Sequence, residues 1–161
     1  RQETSNKKDQ EELKSATEGR PKNISPAIMY KVNSFSFLWM GDMETDMQQE
    51  FIDTVGTVDE TTIVFAPHHG RASGHIPLEL LKRLNPKLII VGEAPSKDLD
   101  YYSGHDTITQ NSAGNIGFEI TDNYIHIYVS EKNYETSASL EHIPLSTLNI
   151  DNMYLSLILI A

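Results

Sequence analysis

Two short apolar runs, Thr61 to Ala66 and Lys87 to Val91, stand on either side of a helical pattern from Pro77 to Leu84, and this order constrains the fold more than any other feature. Runs of this length, bounded by turn signals, are what buried strands require. Pro77 suits the first turn of a helix, and Pro67 to His75 is a glycine-containing loop at the carboxyl end of the first strand. Strand, loop, helix and strand in that order make a βαβ unit. The unit is extended upstream. Ala27 to Val32 and Phe35 to Met40 flank the turn dipeptide Asn33-Ser34, which predicts a β-hairpin. Met43, Met47, Phe51 and Val55 then recur at helical spacing with one face to bury, and Gly56 closes that helix. Downstream, Ile116 to Thr121 and Tyr124 to Val129 alternate around Asp122-Asn123 and predict a second hairpin.

Between these elements lies Ala94 to Ser112, polar and without a clear period, which reads as a long loop; such loops are uncommon unless they bind or cover something. Residues 1–22 are rich in Glu, Lys and Gln with hardly an apolar stripe, so a solvated helix or polar arm is expected there. The organised region is residues 23–130, and residues 131–161 form a tail or extension with little pattern. A chain that begins at Arg1 rather than methionine is expected of a processed or excised piece.

Composition narrows the chemistry. The 161 residues fit one domain, and a formal charge of −10 argues against a broad basic surface that grips nucleic acid by counterion release. Cysteine is absent, so thiolate metal sites, disulfides and thiol nucleophiles are excluded and any metal falls to His, Asp or Glu. This fits an intracellular or an exported protein alike. No apolar run approaches the ~20 residues that span a bilayer.

The candidate site residues sit where strands end. Asp42 follows a glycine at the tip of a strand, where it either caps the next helix or serves as a metal-bridging carboxylate. His68 and His69 follow a buried strand and precede Gly70; two adjacent rings cannot both enter an apolar core, so at most one is a core histidine. Imidazole is the commonest metal ligand, which makes the pair a candidate metal site. His105 lies in the long loop beside Tyr101 and Tyr102 and could transfer a proton or bind a phosphoryl oxygen. His75 reads as structural, His126 as an outward sheet residue, and His142 has no context.

Taken in order, Gly41-Asp42, Pro67-His68-His69-Gly70, Leu84-Asn85-Pro86-Lys87 and Ser103-Gly104-His105 resemble the carboxy-terminal half of metallo-β-lactamase-fold hydrolases, over about residues 23 to 129. The branch they are most similar to is the hydrolase domain of the ComEC-like DNA-uptake proteins. The resemblance implies an α/β (α+β) architecture, the carboxy half of an αββα sandwich, with a mixed sheet and flanking helices. It implies Asp42 and His69 as metal ligands in a centre of two divalent ions, zinc or manganese, with His68 and His105 as catalytic groups on the substrate; His68 and His69 could exchange roles. Two ions would bring the pKa of a shared water to about 7. The implied substrate is a phosphodiester, nucleic acid included, or another small anion.

The chain departs from the pattern at Arg71, where the branch has serine, and at Asp106, where it has proline. The superfamily's early His-x-His-x-Asp-His motif does not occur among the six histidines. The amino half of the fold is therefore expected from missing sequence or a partner chain, which would also cover the exposed apolar face of the sheet. Two functions follow: a phosphodiester hydrolase whose metal centre is completed elsewhere, or a degenerate, non-catalytic domain used for binding or regulation.

Overall fold

A computed structural model of the chain describes residues 25–55, 58–135 and 154–161. Strands β1 (Ile28–Val32) and β2 (Phe35–Trp39) form the expected hairpin, with Val32 opposite Phe35 and Asn33 taking the turn at a φ of 51°. Asparagine tolerates that left-handed conformation better than most residues. From β2 onward the strands are parallel: β3 (Ile63–Phe65) pairs with β2, β4 (Leu88–Val91) with β3, and β5 (Thr107–Thr109) with β4. The first sheet is thus mixed, in the order β1-β2-β3-β4-β5.

Helix α1 (Thr45–Val55) makes the crossover from β2 to β3, and α2 (Leu78–Leu84) that from β3 to β4. Crossovers of one hand that always advance in one direction put their helices on one face of the sheet. There Leu38, Met40, Val64, Ile89 and Val91 pack with Ile52 of α1 and Leu80, Leu81 and Leu84 of α2. The period of two along each strand sends the alternate residues the other way. Phe35, Phe37, Ile63, Leu88, Ile90 and Ile108 meet a second sheet through its Ile125, Ile127, Val129 and Leu159. That sheet is antiparallel, with β6 (Ile116–Ile120), β7 (Tyr124–Val129) and β8 (Tyr154–Ile160) in sequence order. The architecture is α+β, in three described layers of helices, mixed sheet and antiparallel sheet.

Several expectations change. A covering layer for the first sheet was expected from outside the chain, yet β6 to β8 supply one for its middle. The reason is β8, whose pairing with β7 joins positions far apart in sequence and leaves no local signal. Cover ends at β1, where Ile28 and Tyr30 stay more than half exposed. The segment 94–112 is not a plain loop: it holds a 3-10 turn (Ser96–Tyr102), β5, and the short helix α3 (Gln110–Ala113). Three residues of β5 are too few to show a period. Met43, just before α1, is buried as expected, but within the helix Gln48 and Ile52 are buried while Met47 and Phe51 stay half-buried, so the stripe is rotated by one residue from the one predicted. Gln48 is accommodated because its Nε2 donates to the carbonyls of Met43 and Gly74, at 3.1 and 3.0 Å. The arm expected over residues 1–22 lies outside the described residues. Among the described residues no helix is long and apolar enough to cross a membrane.

Candidate functional site

Gly41-Asp42 follows β2, Pro67 to Gly70 follows β3, and Gly92 follows β4. Because these strands are parallel neighbours, all three turns emerge at one edge of the sheet, the carboxyl edge where parallel sheets present their loops. The turns are also tied together. His68 N–H donates to the Gly41 carbonyl at 2.8 Å, and Asp42 N–H donates to Ser25 Oγ at 3.1 Å. From behind, Thr45 Oγ1 at the start of α1 donates to the His75 carbonyl at 2.8 Å and braces the histidine loop.

The histidine pair has an unusual backbone. His68 sits at φ 49°, ψ 41° and His69 at φ 61°, ψ 10°, so two consecutive non-glycine residues are left-handed. Each such residue costs about 1–2 kcal/mol relative to right-handed backbone, and strain of this kind persists only where the surroundings hold it. Glycines make the room. A Cβ at Gly74 would lie 2.6 Å from His68 Cβ, and one at Gly92 would lie 3.1 Å from His69 Cα. The two rings part: His68 Nδ1 bonds Ser73 Oγ at 2.8 Å, whereas His69 Nε2 comes within 4.0 Å of Asp42 Oδ1.

The pair Asp42 and His69 opens on a cleft of about 320 Å³ between the two sheets. Both side chains are more than half exposed, at 53% and 59%. The cleft wall is aromatic and aliphatic, from Trp39, Phe65, Ile90, Ile116 and Phe118, and Gln110 at the end of β5 adds an amide.

His105 does not join them. It precedes β5, and the crossover from β4 must return to the amino edge of the sheet before a parallel strand can begin. The adjacent Asp106 carbonyl accepts from Ile89 N–H near the start of β4, which places His105 at the edge opposite His69. It lines a separate cleft with Leu99, Tyr102 and Thr107, and the two clefts share no residue. The expected grouping of His105 with the metal-side residues is corrected on this ground.

The other histidines have packing partners. His75 stacks on Tyr101 with centroids 3.8 Å apart, and the Tyr101 hydroxyl donates to the Ile76 carbonyl at 2.7 Å. His126 is largely covered rather than turned to solvent, and its Nδ1 lies 3.1 Å from Glu119 Oε2 on the paired strand. The Tyr128 hydroxyl donates to the same oxygen at 3.1 Å. These two hydrogen bonds hold the Glu119 carboxyl below its usual pKa. Burial, then the bond to Glu119 and its charge, push Tyr128 up to about 12. His142 lies outside the described residues.

Whether these side chains suit a metal is a question of donor count. Two donors bound to one tetrahedral zinc at ~2.0–2.1 Å stand about 3.4 Å apart, so a carboxylate and an imidazole at 4.0 Å need only a small closure of two exposed side chains. Among the described residues, however, no group of three or more His, Asp or Glu converges in a way that could hold an ion. Asp42 and His69 fit one edge of a coordination sphere and do not fit a two-ion centre by themselves. Compared with known proteins, the chain matches no family model and no curated sequence.

Sequence reasoning overlooked Trp39, Gln110 and Gly92 at this edge. Trp39 belongs to an apolar strand in the sequence pattern, and only its place at the end of β2, two residues before Gly41, brings it to the cleft that Asp42 lines. Gln110 was hidden with β5, and Gly92 carried no signal beyond following a buried strand.

Proposed function

We propose that this chain contributes one edge of the active site of a metal-dependent phosphodiester hydrolase, with the remaining metal ligands supplied by sequence outside it. In this reading the three described layers belong to a metallo-β-lactamase-like αββα sandwich. Asp42 and His69 are the chain's metal-side pair, and the divalent ions are zinc or manganese. The observation that carries it is the 4.0 Å approach of Asp42 and His69 across two turns joined by the His68 to Gly41 backbone bond. That approach favours His69 over His68 as the ligand, because the His68 ring is held by Ser73. His105, at the far edge, has no part in this reading.

The test uses the intact protein: metal content by elemental analysis, then cleavage of a generic phosphodiester by Asp42→Ala and His69→Ala variants. Loss of metal and of cleavage in both is expected, and full retention of both properties would sink the reading.

A second reading, a non-catalytic binding or regulatory module, is favoured by the convergence of only two donors among the described residues. Calorimetric titration of the intact protein with zinc separates the two. Tight uptake of two ions would remove the module reading.

A further inference from the structure

We infer that the cleft beside Asp42 and His69 is an aromatic-stacking subsite, built to take a planar ring carried on a phosphate, as in a nucleotide or an aryl phosphate. The starting point is Trp39. Along β2, Phe35 and Phe37 are 1% and 2% exposed, yet Trp39, on the same face two residues on, is 37% exposed at the cleft. A large ring left open at the end of a buried row is a surface that gains from being covered.

Its neighbours fix how a ring would enter. Trp39 stacks on Phe65 with centroids 4.3 Å apart and planes 14° apart, and Phe37 lies nearly parallel at 16°. Phe118 of the second sheet stands edge-on to Phe37 and Phe65, at 78° and 73°. The cleft therefore offers a parallel stack with a perpendicular wall, the two arrangements aromatic rings prefer. A flexible aliphatic ligand would use none of this orientation. Gln110 is exposed at the same cleft and brings one amide donor pair and one carbonyl acceptor, which suit the edge of a heteroaromatic ring.

Size and charge limit the ligand further. About 320 Å³ is at the small end of ligand sites, enough for one ring system with its ester. A chain of charge −10 does not attract a long polyanion. A mononucleotide, the terminal unit of a strand, or a single aryl ester fits both limits. The phosphate end rests on the hydrolase reading above, since Asp42 and His69 face it through a metal. The ring end does not depend on that reading.

Trp39 is the chain's single tryptophan, so its emission reports on the subsite alone. The intact chain is titrated with adenosine, adenosine 5′-monophosphate, phenyl phosphate and ribose 5-phosphate, and calorimetry repeats the titrations on Trp39→Phe and Trp39→Ala. Saturable quenching by ring-bearing ligands and none by ribose 5-phosphate is expected. Trp39→Phe should bind within a few-fold of the parent, and Trp39→Ala should bind about fivefold to a hundredfold more weakly. Stronger binding of the nucleotide than of phenyl phosphate assigns the ring to a base, and the reverse order to a simple aryl group. Absence of saturable quenching by every ring-bearing ligand overturns the inference, as does unchanged affinity in Trp39→Ala. Ring binding by the chain with no phosphodiester cleavage by the intact protein sinks the hydrolase reading and supports the subsite; cleavage by the intact protein without ring-dependent quenching does the opposite.

Discussion

The left-handed histidines give a prediction whose sign is opposite to the usual one. At an ordinary position, replacing alanine by glycine costs about 0.4–1 kcal/mol, because glycine gives the unfolded chain more freedom. At His68, φ is 49° and ψ is 41°, so alanine carries the left-handed penalty and glycine does not. That penalty is about 1–2 kcal/mol. Subtracting the entropic term at mid-range leaves His68→Gly more stable than His68→Ala by about 0.8 kcal/mol. Both variants lose the bond from the ring to Ser73, so its contribution cancels in the comparison. The same inversion is expected at His69, where φ is 61°. Urea unfolding measures it, with the midpoint moving and the slope unchanged. In a thermal melt the gap is roughly 2–4 °C per kcal/mol for a chain of this size. Alanine variants at least as stable as the glycine variants would mean that the turn does not hold this backbone, and the divergence of the two rings would lose its explanation.

At Gly70, where φ is 88° and an added Cβ would lie 2.6 Å from Val91 Cγ1, Gly70→Ala should lower stability by about 2 kcal/mol or more in the same urea assay. Gly92→Ala puts a Cβ 3.1 Å from three atoms of His69, so the His69 ring resonances should shift in NMR spectra while those of His105 stay in place. The raised Tyr128 hydroxyl contributes stability that is fully present below the unfolded pKa of about 10 and is lost as pH rises through about 12. Tyr128→Phe should therefore show a shallower alkaline loss of stability in unfolding curves taken across that window. Glu119 has the reverse sign: its lowered pKa gives stability present above the ordinary carboxylate range and lost as pH falls through the folded value, so Glu119→Gln should flatten the acid limb.

What the sequence made legible was whatever neighbouring residues decide together. The apolar runs at Ile63 to Phe65 and Leu88 to Val91 declare buried strands, and the helix between them makes those strands parallel. The helical pattern from Met43 to Val55 does the same for β2 and β3, which brings their ends, hence Asp42 and His69, to one edge. The direction of each ring was not legible, because it depends on the left-handed backbone of His68 and His69 and on the space left by Gly74 and Gly92. His105 shows the cost of missing a short strand. Once β5 is known, a residue just before it must lie at the amino edge, since a parallel crossover has to return there. Without it, the nearby Tyr101 and Tyr102 made His105 resemble a site residue, although Tyr101 stacks on His75.

The bond from His68 N–H to the Gly41 carbonyl spans 27 residues and the whole of α1, so no local segment can form it. Asp42 and His69 meet only when the β2 to β3 crossover has docked, which makes the site a nonlocal product of folding. Exchange of one backbone hydrogen, that of His68, therefore reports whether the two turns are together. Its protection should follow the opening of the β2–α1–β3 unit rather than the fraying of the loop that carries it.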